Sequence, residues 1–109
     1  MTLYLPGDLV LVAFPYAGDQ RIKHRPALVI LDTGNADVVV ARVTTRIHES
    51  PHDVTILEWE AAGSLASSVV RLHKVATIEK SLIRRRLGTV RPADRRHIHA
   101  VVRQSYGGW

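Results

Sequence analysis

The sequence predicts a mainly β domain of the α+β class, a small barrel of short strands with one amphipathic helix at its C-terminal end. Three observations predict it. Apolar runs rich in Val, Leu and Ile recur at strand length between residues 9 and 90, each bounded by Gly, Pro, Asp or Asn. Helical periodicity sets in only after Pro92. The chain has 109 residues, 46% of them hydrophobic, which suits one domain over 1–109 with a real core rather than a disordered segment.

The elements follow in order. Pro6-Gly7-Asp8 is turn chemistry. Residues 9–14 are short and branched, which favours a buried strand, and Pro15 closes it. Residues 16–24 read as an exposed, mobile loop. Pro26 has no N–H for a ladder, so the second strand begins there or runs along an edge, and it continues to about Leu31. Asp32-Thr33-Gly34-Asn35 is a turn, and 36–45 form the third strand. Residues 49–53 break the pattern before a short fourth strand at 54–57. A loop at 58–66 carries Trp59 and Gly63. A fifth strand covers 67–78, one helical turn 79–83, and a last strand 86–90. Pro92 suits a first helical turn, where its missing N–H costs nothing, and Asp94 then faces the positive end of the helix dipole. Ile98, Val101, Val102 and Ser105 share one helical face, and Gly107-Gly108 stops the helix. Short strands joined by Gly and Pro turns point to a small barrel.

Composition narrows the function. The chain has no cysteine, which excludes disulfide scaffolds, thiolate zinc sites and cysteine nucleophiles and fits a cytoplasmic protein. The first residues lack the basic start and long apolar core of a signal peptide, and no apolar run reaches membrane length. Fifteen Lys and Arg against ten Asp and Glu give a net charge of +5, the footprint of a nucleic-acid binder or, more plainly, a solvated basic surface.

His48-Glu49-Ser50-Pro51-His52 matches the zinc-protease pattern H-E-x-x-H, but Pro51 falls where the helix must be continuous, so a polar loop is expected and no metal site. His97 and His99 point to different helical faces. Arg84-Arg85-Arg86 is either a phosphate patch or a solvated face. No glycine-rich phosphate loop follows a strand. The sharper pattern joins two runs. Lys23-His24-Arg25 stands at the mouth of an apolar run, and the third strand ends in the hydroxyls of Thr44 and Thr45 after Arg42. Strand alternation puts Arg42 and Thr44 on the face of Val38 and Val40, Thr45 on the face of Val43, and Arg25 on the face of Ala27 and Val29. Side by side, such cations and hydroxyls suit a phosphate; the alternative is that they cap strand ends in water.

At this point the chain resembles the MazF/PemK ribonuclease toxins of bacterial toxin–antitoxin pairs, from Pro6 to about Val102. The first strand with its Pro6-Gly7-Asp8 lead is similar to theirs. So are Arg25-Pro26-Ala27-Leu28-Val29-Ile30, Val43-Thr44, Trp59-Glu60-Ala61-Ala62-Gly63 and Ser68-Val69-Val70-Arg71-Leu72. Leu82-Ile83, Leu87-Gly88 and a final helix complete the order. Ser64 interrupts the family's usual glycine-leucine step.

The resemblance implies an SH3-like barrel with an appended helix. It implies a homodimer that cuts single-stranded RNA at a short preferred sequence, with no metal and no cofactor. By position it implies Arg25 and Thr44 as the catalytic pair and, more weakly, Ser68. Arg21, Lys23 and His24 either line the RNA path or are solvated, and Thr45 is a second weak candidate. His73 stands where many relatives carry an acid, and it either assists proton transfer near neutral pH or is a neutral replacement. The expected partner is an antitoxin with a disordered, acidic and partly apolar segment. The RNA's own 2′-hydroxyl can serve as nucleophile. Arg25 then offers a planar donor fork to the phosphate and Thr44 a single donor. A guanidinium keeps its proton in proteins, so Arg25 reads as an electrostatic stabiliser rather than a base. Two rivals share the same charge and strands. One is a non-catalytic basic barrel that binds nucleic acid. The other is a toxin that inhibits a DNA-handling enzyme by protein contact, with Tyr106 and Trp109 as a contact patch or a frayed tail.

Overall fold

A computed structural model describes residues 2–16 and 19–109, and the side chains at 15, 16 and 19–21 lie outside that description. Its strands are β1 (Asp8–Tyr16), β2 (Asp19–Asp32), β3 (Asp37–Thr44), β4 (Asp53–Ile56), β5 (Ser68–Glu79) and β6 (Ile83–Thr89). A 3₁₀ turn over Lys80–Leu82 joins β5 to β6, and the helix α1 spans Pro92–Tyr106. The strands form one antiparallel sheet in the order β4-β5-β3-β2-β1-β6.

The two outer strands, β4 and β6, are brought together by the loop that follows β4. Gly63 has φ +93°, and a Cβ there would stand 2.1 Å from the Leu87 carbonyl oxygen of β6. Across the same contact, a Cβ on Gly88 would stand 2.2 Å from the carbonyl oxygen of Ala62. Backbone therefore lies directly on backbone, which only glycine permits. Trp59 and Ala62 of this loop pack into the core beside Leu87. The sheet thus curls into the expected barrel.

Each central strand buries both faces, which explains why the apolar runs are continuous. Leu9, Leu28, Ala41, Val43, Val70 and Leu72 meet Ile98 and Val101 of α1 in one core. The alternate residues Val10, Val12, Ala27, Val29, Val38 and Val40 form a second core on the other face. Asp94 is 1% exposed, and its two carboxylate oxygens accept the backbone N–H groups of Leu57 and Glu58 at 2.9 Å each. The expected dipole residue therefore also ties the helix start to the closing loop.

Four expectations need correction. The segment expected to be a loop over 16–24 belongs to a long β1–β2 hairpin, whose register runs Ala13↔His24, Phe14↔Lys23, Pro15↔Ile22 and Tyr16↔Asp19. Its polarity reflects exposure, since Ile22 to Arg25 all face solvent while their backbone stays paired. Pro15 lies within β1 rather than closing it, next to a register shift. Pro26 lies inside β2, opposite Leu11, and the ladder to β3 starts only at Ala27, so the proline interrupts no bond on that flank. β6 likewise begins at Ile83, earlier than expected.

Candidate functional site

Strand alternation across β1, β2 and β3 directs one set of side chains into a cleft of about 470 Å³. Arg25, Arg42, Thr44 and Lys74 line it, with Phe14 and Val40 among its apolar walls, and no carboxylate is among the described residues lining it. The pair singled out in the sequence is thus brought together: Arg25 from β2 and Thr44 from the end of β3 border the same space.

The hydroxyl of Thr44 is oriented. Its Oγ1 accepts the backbone N–H of Arg46 at 3.2 Å, which occupies a lone pair and leaves the O–H proton to be donated elsewhere. The chain turns just after β3, so Thr45 is exposed beyond the strand end and does not line the cleft. Lys23 and His24 are exposed residues of β2 outside the lining. Alternation puts Lys23 on the side of Arg25 and His24 on the opposite side. The side chain of Arg21 lies outside the described residues.

Ser68 does not join this group. It is 1% exposed, and its hydroxyl donates to the Ala66 carbonyl at 2.8 Å and shares a 2.9 Å hydrogen bond with Ser64. Ser64, the residue that departs from the family pattern, is what Ser68 pairs with. These serines fix the entry to β5.

His73 belongs to a second cluster beside the cleft. Its ring centroid is 5.4 Å from that of His52, and its Nε2 is 3.4 Å from the Arg71 guanidinium. Burial, and then the Arg71 charge, pushes its titration below the ordinary histidine value, against a smaller upward pull from Asp53. Asp53 is ion-paired to Arg71 at 3.0 Å. Burial acts to raise its carboxyl, but hydrogen bonds from Ser50 and Arg71 outweigh that and hold it at about 2. His52 lies in a turn rather than a helix, with its Nδ1 2.6 Å from the Ser105 hydroxyl, so the H-E-x-x-H match has no helix to act on.

Arginines 84 and 86 are engaged structurally. Arg84 donates to the Ser81 carbonyl, while Arg86 pairs with Asp8 at 3.1 Å and lies over the Tyr4 ring. Tyr106 is not frayed: its hydroxyl donates to the Leu72 carbonyl. Trp109 is fully exposed.

Sequence reasoning missed Phe14 and Lys74 as lining residues. Arg42, whose parity with Thr44 was a usable signal, was placed on that face but given no role. Lys74 gave no signal, because it stands in an irregularity of β5. There the ladder to β3 steps from Ala41↔Val75 to Arg42↔Arg71 and skips residues 72–74. A second cleft of about 460 Å³ lies beside α1, with aliphatic walls and Arg95, Arg96 and His99, and no hydroxyl side chain is among the described residues lining it. Of these two clefts, the first joins cations to a hydroxyl among its described lining residues.

The family model for the PemK-like, MazF-like toxin of type II toxin–antitoxin systems matches residues 5–106. No curated protein matches the chain. Among solved structures, the chain is similar to an endoribonuclease from a mycobacterial species in complex with its cognate antitoxin. That likeness has 22% identity over 98% of both chains and a TM-score of 0.76. It is also similar to the Mycobacterium tuberculosis toxin MazF-mt6, at 18% identity over 94% of this chain and 99% of that one, with a TM-score of 0.75. The MazE–MazF structure from Deinococcus radiodurans gives 20% identity over 98% of both chains and a TM-score of 0.75. At these identities the likeness establishes the fold.

Proposed function

The chain belongs to the family of PemK-like, MazF-like toxins of type II toxin–antitoxin systems, and on that premise we propose that it is a metal-independent endoribonuclease that cuts single-stranded RNA at a preferred short sequence. The observation that carries this reading is the convergence of Arg25 and Thr44 on one cleft free of carboxylates among its described lining residues. A divalent ion would need oxygen ligands, above all carboxylates, where this cleft offers cations and one hydroxyl.

In the reaction, the 2′-hydroxyl of the nucleotide before the cut attacks the adjacent phosphorus and the bond to the 5′-oxygen breaks. The products are a 2′,3′-cyclic phosphate and a 5′-hydroxyl. The nucleophile's proton passes to solvent, and the leaving oxygen takes one up. Arg25 spans the equatorial oxygens with its planar fork, and the oriented O–H of Thr44 donates to a non-bridging oxygen. Phe14 supplies an aromatic wall on which a base can stack.

By this reading the protein acts as a homodimer, and its activity is checked by a cognate antitoxin. The charge of the cleft suits an acidic antitoxin segment that displaces RNA. The test is cleavage of a long single-stranded RNA in EDTA by the wild type, Arg25→Ala and Thr44→Ala, with the new ends mapped. Recurrent cuts by the wild type alone support the reading. Cleavage that survives Arg25→Ala in a folded protein contradicts it. Binding that weakens steeply with salt but never cuts indicates the non-catalytic barrel instead.

A further inference from the structure

Arg42 and Lys74 line the cleft but have no role in the chemistry above. Arg42 is exposed, and neither side chain makes a hydrogen bond or ion pair with any described residue. Arg42 stands directly across β3–β5 from another arginine, Arg71. Like charges opposed on neighbouring strands are destabilising. Only one of the two is neutralised, since the carboxylate of Asp53 is held by Arg71. Stability alone gives no reason for Arg42, whereas an anion in the cleft would relieve it.

Lys74 reaches the same space through the interruption of β5. The bulged residue Leu72 is fully buried. Its N–H donates to the His52 carbonyl at 2.9 Å, and its carbonyl accepts the Tyr106 hydroxyl. The bulge is therefore anchored on both backbone groups rather than loose, and it presents Lys74 at a fixed place.

We propose that Arg42 and Lys74 form a second phosphate subsite, which holds the phosphodiester next to the one that is cut. Arg42 lies two residues before Thr44 on one strand face, roughly 6–7 Å away. That separation lets one extended RNA strand place neighbouring phosphates on the two groups. The subsite binds without joining the chemistry: it fixes the register of the RNA so that the scissile phosphate meets Arg25 and Thr44. The inference rests on the endoribonuclease reading.

The test uses an RNA oligonucleotide with one mapped cleavage site, and copies in which either neighbouring phosphate is a neutral methylphosphonate. Arg42→Ala and Lys74→Ala are each expected to raise KM about tenfold, the scale of one charge-assisted hydrogen bond, and to leave kcat within about twofold. The salt slope of log KM should fall by about 0.7 for each contact removed. One of the two methylphosphonates should raise the wild-type KM similarly but leave that of Arg42→Ala unchanged. A lower kcat at constant KM, or the same methylphosphonate penalty in wild type and variant, overturns the subsite. A wild type that cuts no RNA overturns the endoribonuclease reading itself. Both substituted side chains line an open cleft, so circular dichroism melts matching the wild type confirm that the variants fold.

Discussion

Thr44 shows how much one hydrogen bond decides. Because its oxygen already accepts from Arg46, its proton is the part available to a substrate. Thr44→Ser keeps that proton and should retain cleavage within about tenfold, whereas isosteric Thr44→Val should lose about 10²–10³ in kcat, the usual scale for one oxyanion donor. Single-turnover rates on a fixed RNA check both. Asp94 makes the opposite kind of contribution, to the fold alone. Asp94→Ala strands two backbone N–H groups and should destabilise by about 3 kcal/mol in urea melts. His73, held toward its neutral form, is expected to be dispensable at pH 7.5, with kcat/KM of His73→Gln within about threefold of wild type. Arg25 joins Arg42 and Thr44 only through the pairing of Ala27 with Arg42, a register that alternation does not fix, but the face shared by Arg42 and Thr44 was legible along β3. The roles of Ser68, Trp59 and Gly63 were not, since their partners Ser64, Leu87 and Gly88 lie in other segments.

At the scale of elements, irregularities build the site. The skip in β5 puts Lys74 into the cleft and is pinned from two directions. Tyr106→Phe releases one of those anchors and should cost about 1 kcal/mol in thermal or urea melts. If the bulge positions Lys74, the same variant also raises KM without lowering kcat. The Gly63–Gly88 contact closes the barrel. Gly63→Ala is expected to lose about 3 kcal/mol or more, through both its positive φ and the clash with Leu87, read as a shifted urea midpoint. Strand number, helix and order could be read from the apolar runs. Strand ends could not, where polar side chains follow a paired backbone: residues 19–24 look like a loop by composition, yet Asp19 and Ile22 to His24 pair with β1.

Over the whole molecule, charge sets the acid response. Asp53 and Asp32 titrate at about 2 in the fold against 3.8 ordinarily. For Asp32 the Lys80 ammonium is the largest cause, followed by the backbone N–H groups of Tyr4 and Gly34. Groups with depressed pKa values contribute fully above their unfolded values and lose that contribution as pH falls through the folded ones. Stability should therefore decline between about pH 4 and pH 2, and Asp53→Asn should flatten part of that decline in urea midpoints measured against pH. The net charge of +5 adds a salt-sensitive attraction for RNA that acts before any specific contact forms.

The central claim is that the RNA supplies its own nucleophile while Arg25 and Thr44 stabilise the phosphate. The most direct measurement places a single 2′-deoxynucleotide immediately before a mapped cut in an otherwise ribose oligonucleotide, in EDTA. The claim predicts that this one oxygen abolishes cleavage while binding stays within about threefold, since the phosphates that carry affinity are unchanged. Cleavage that persists at the substituted position would mean that water or a protein group attacks the phosphorus, and the proposed chemistry would be wrong.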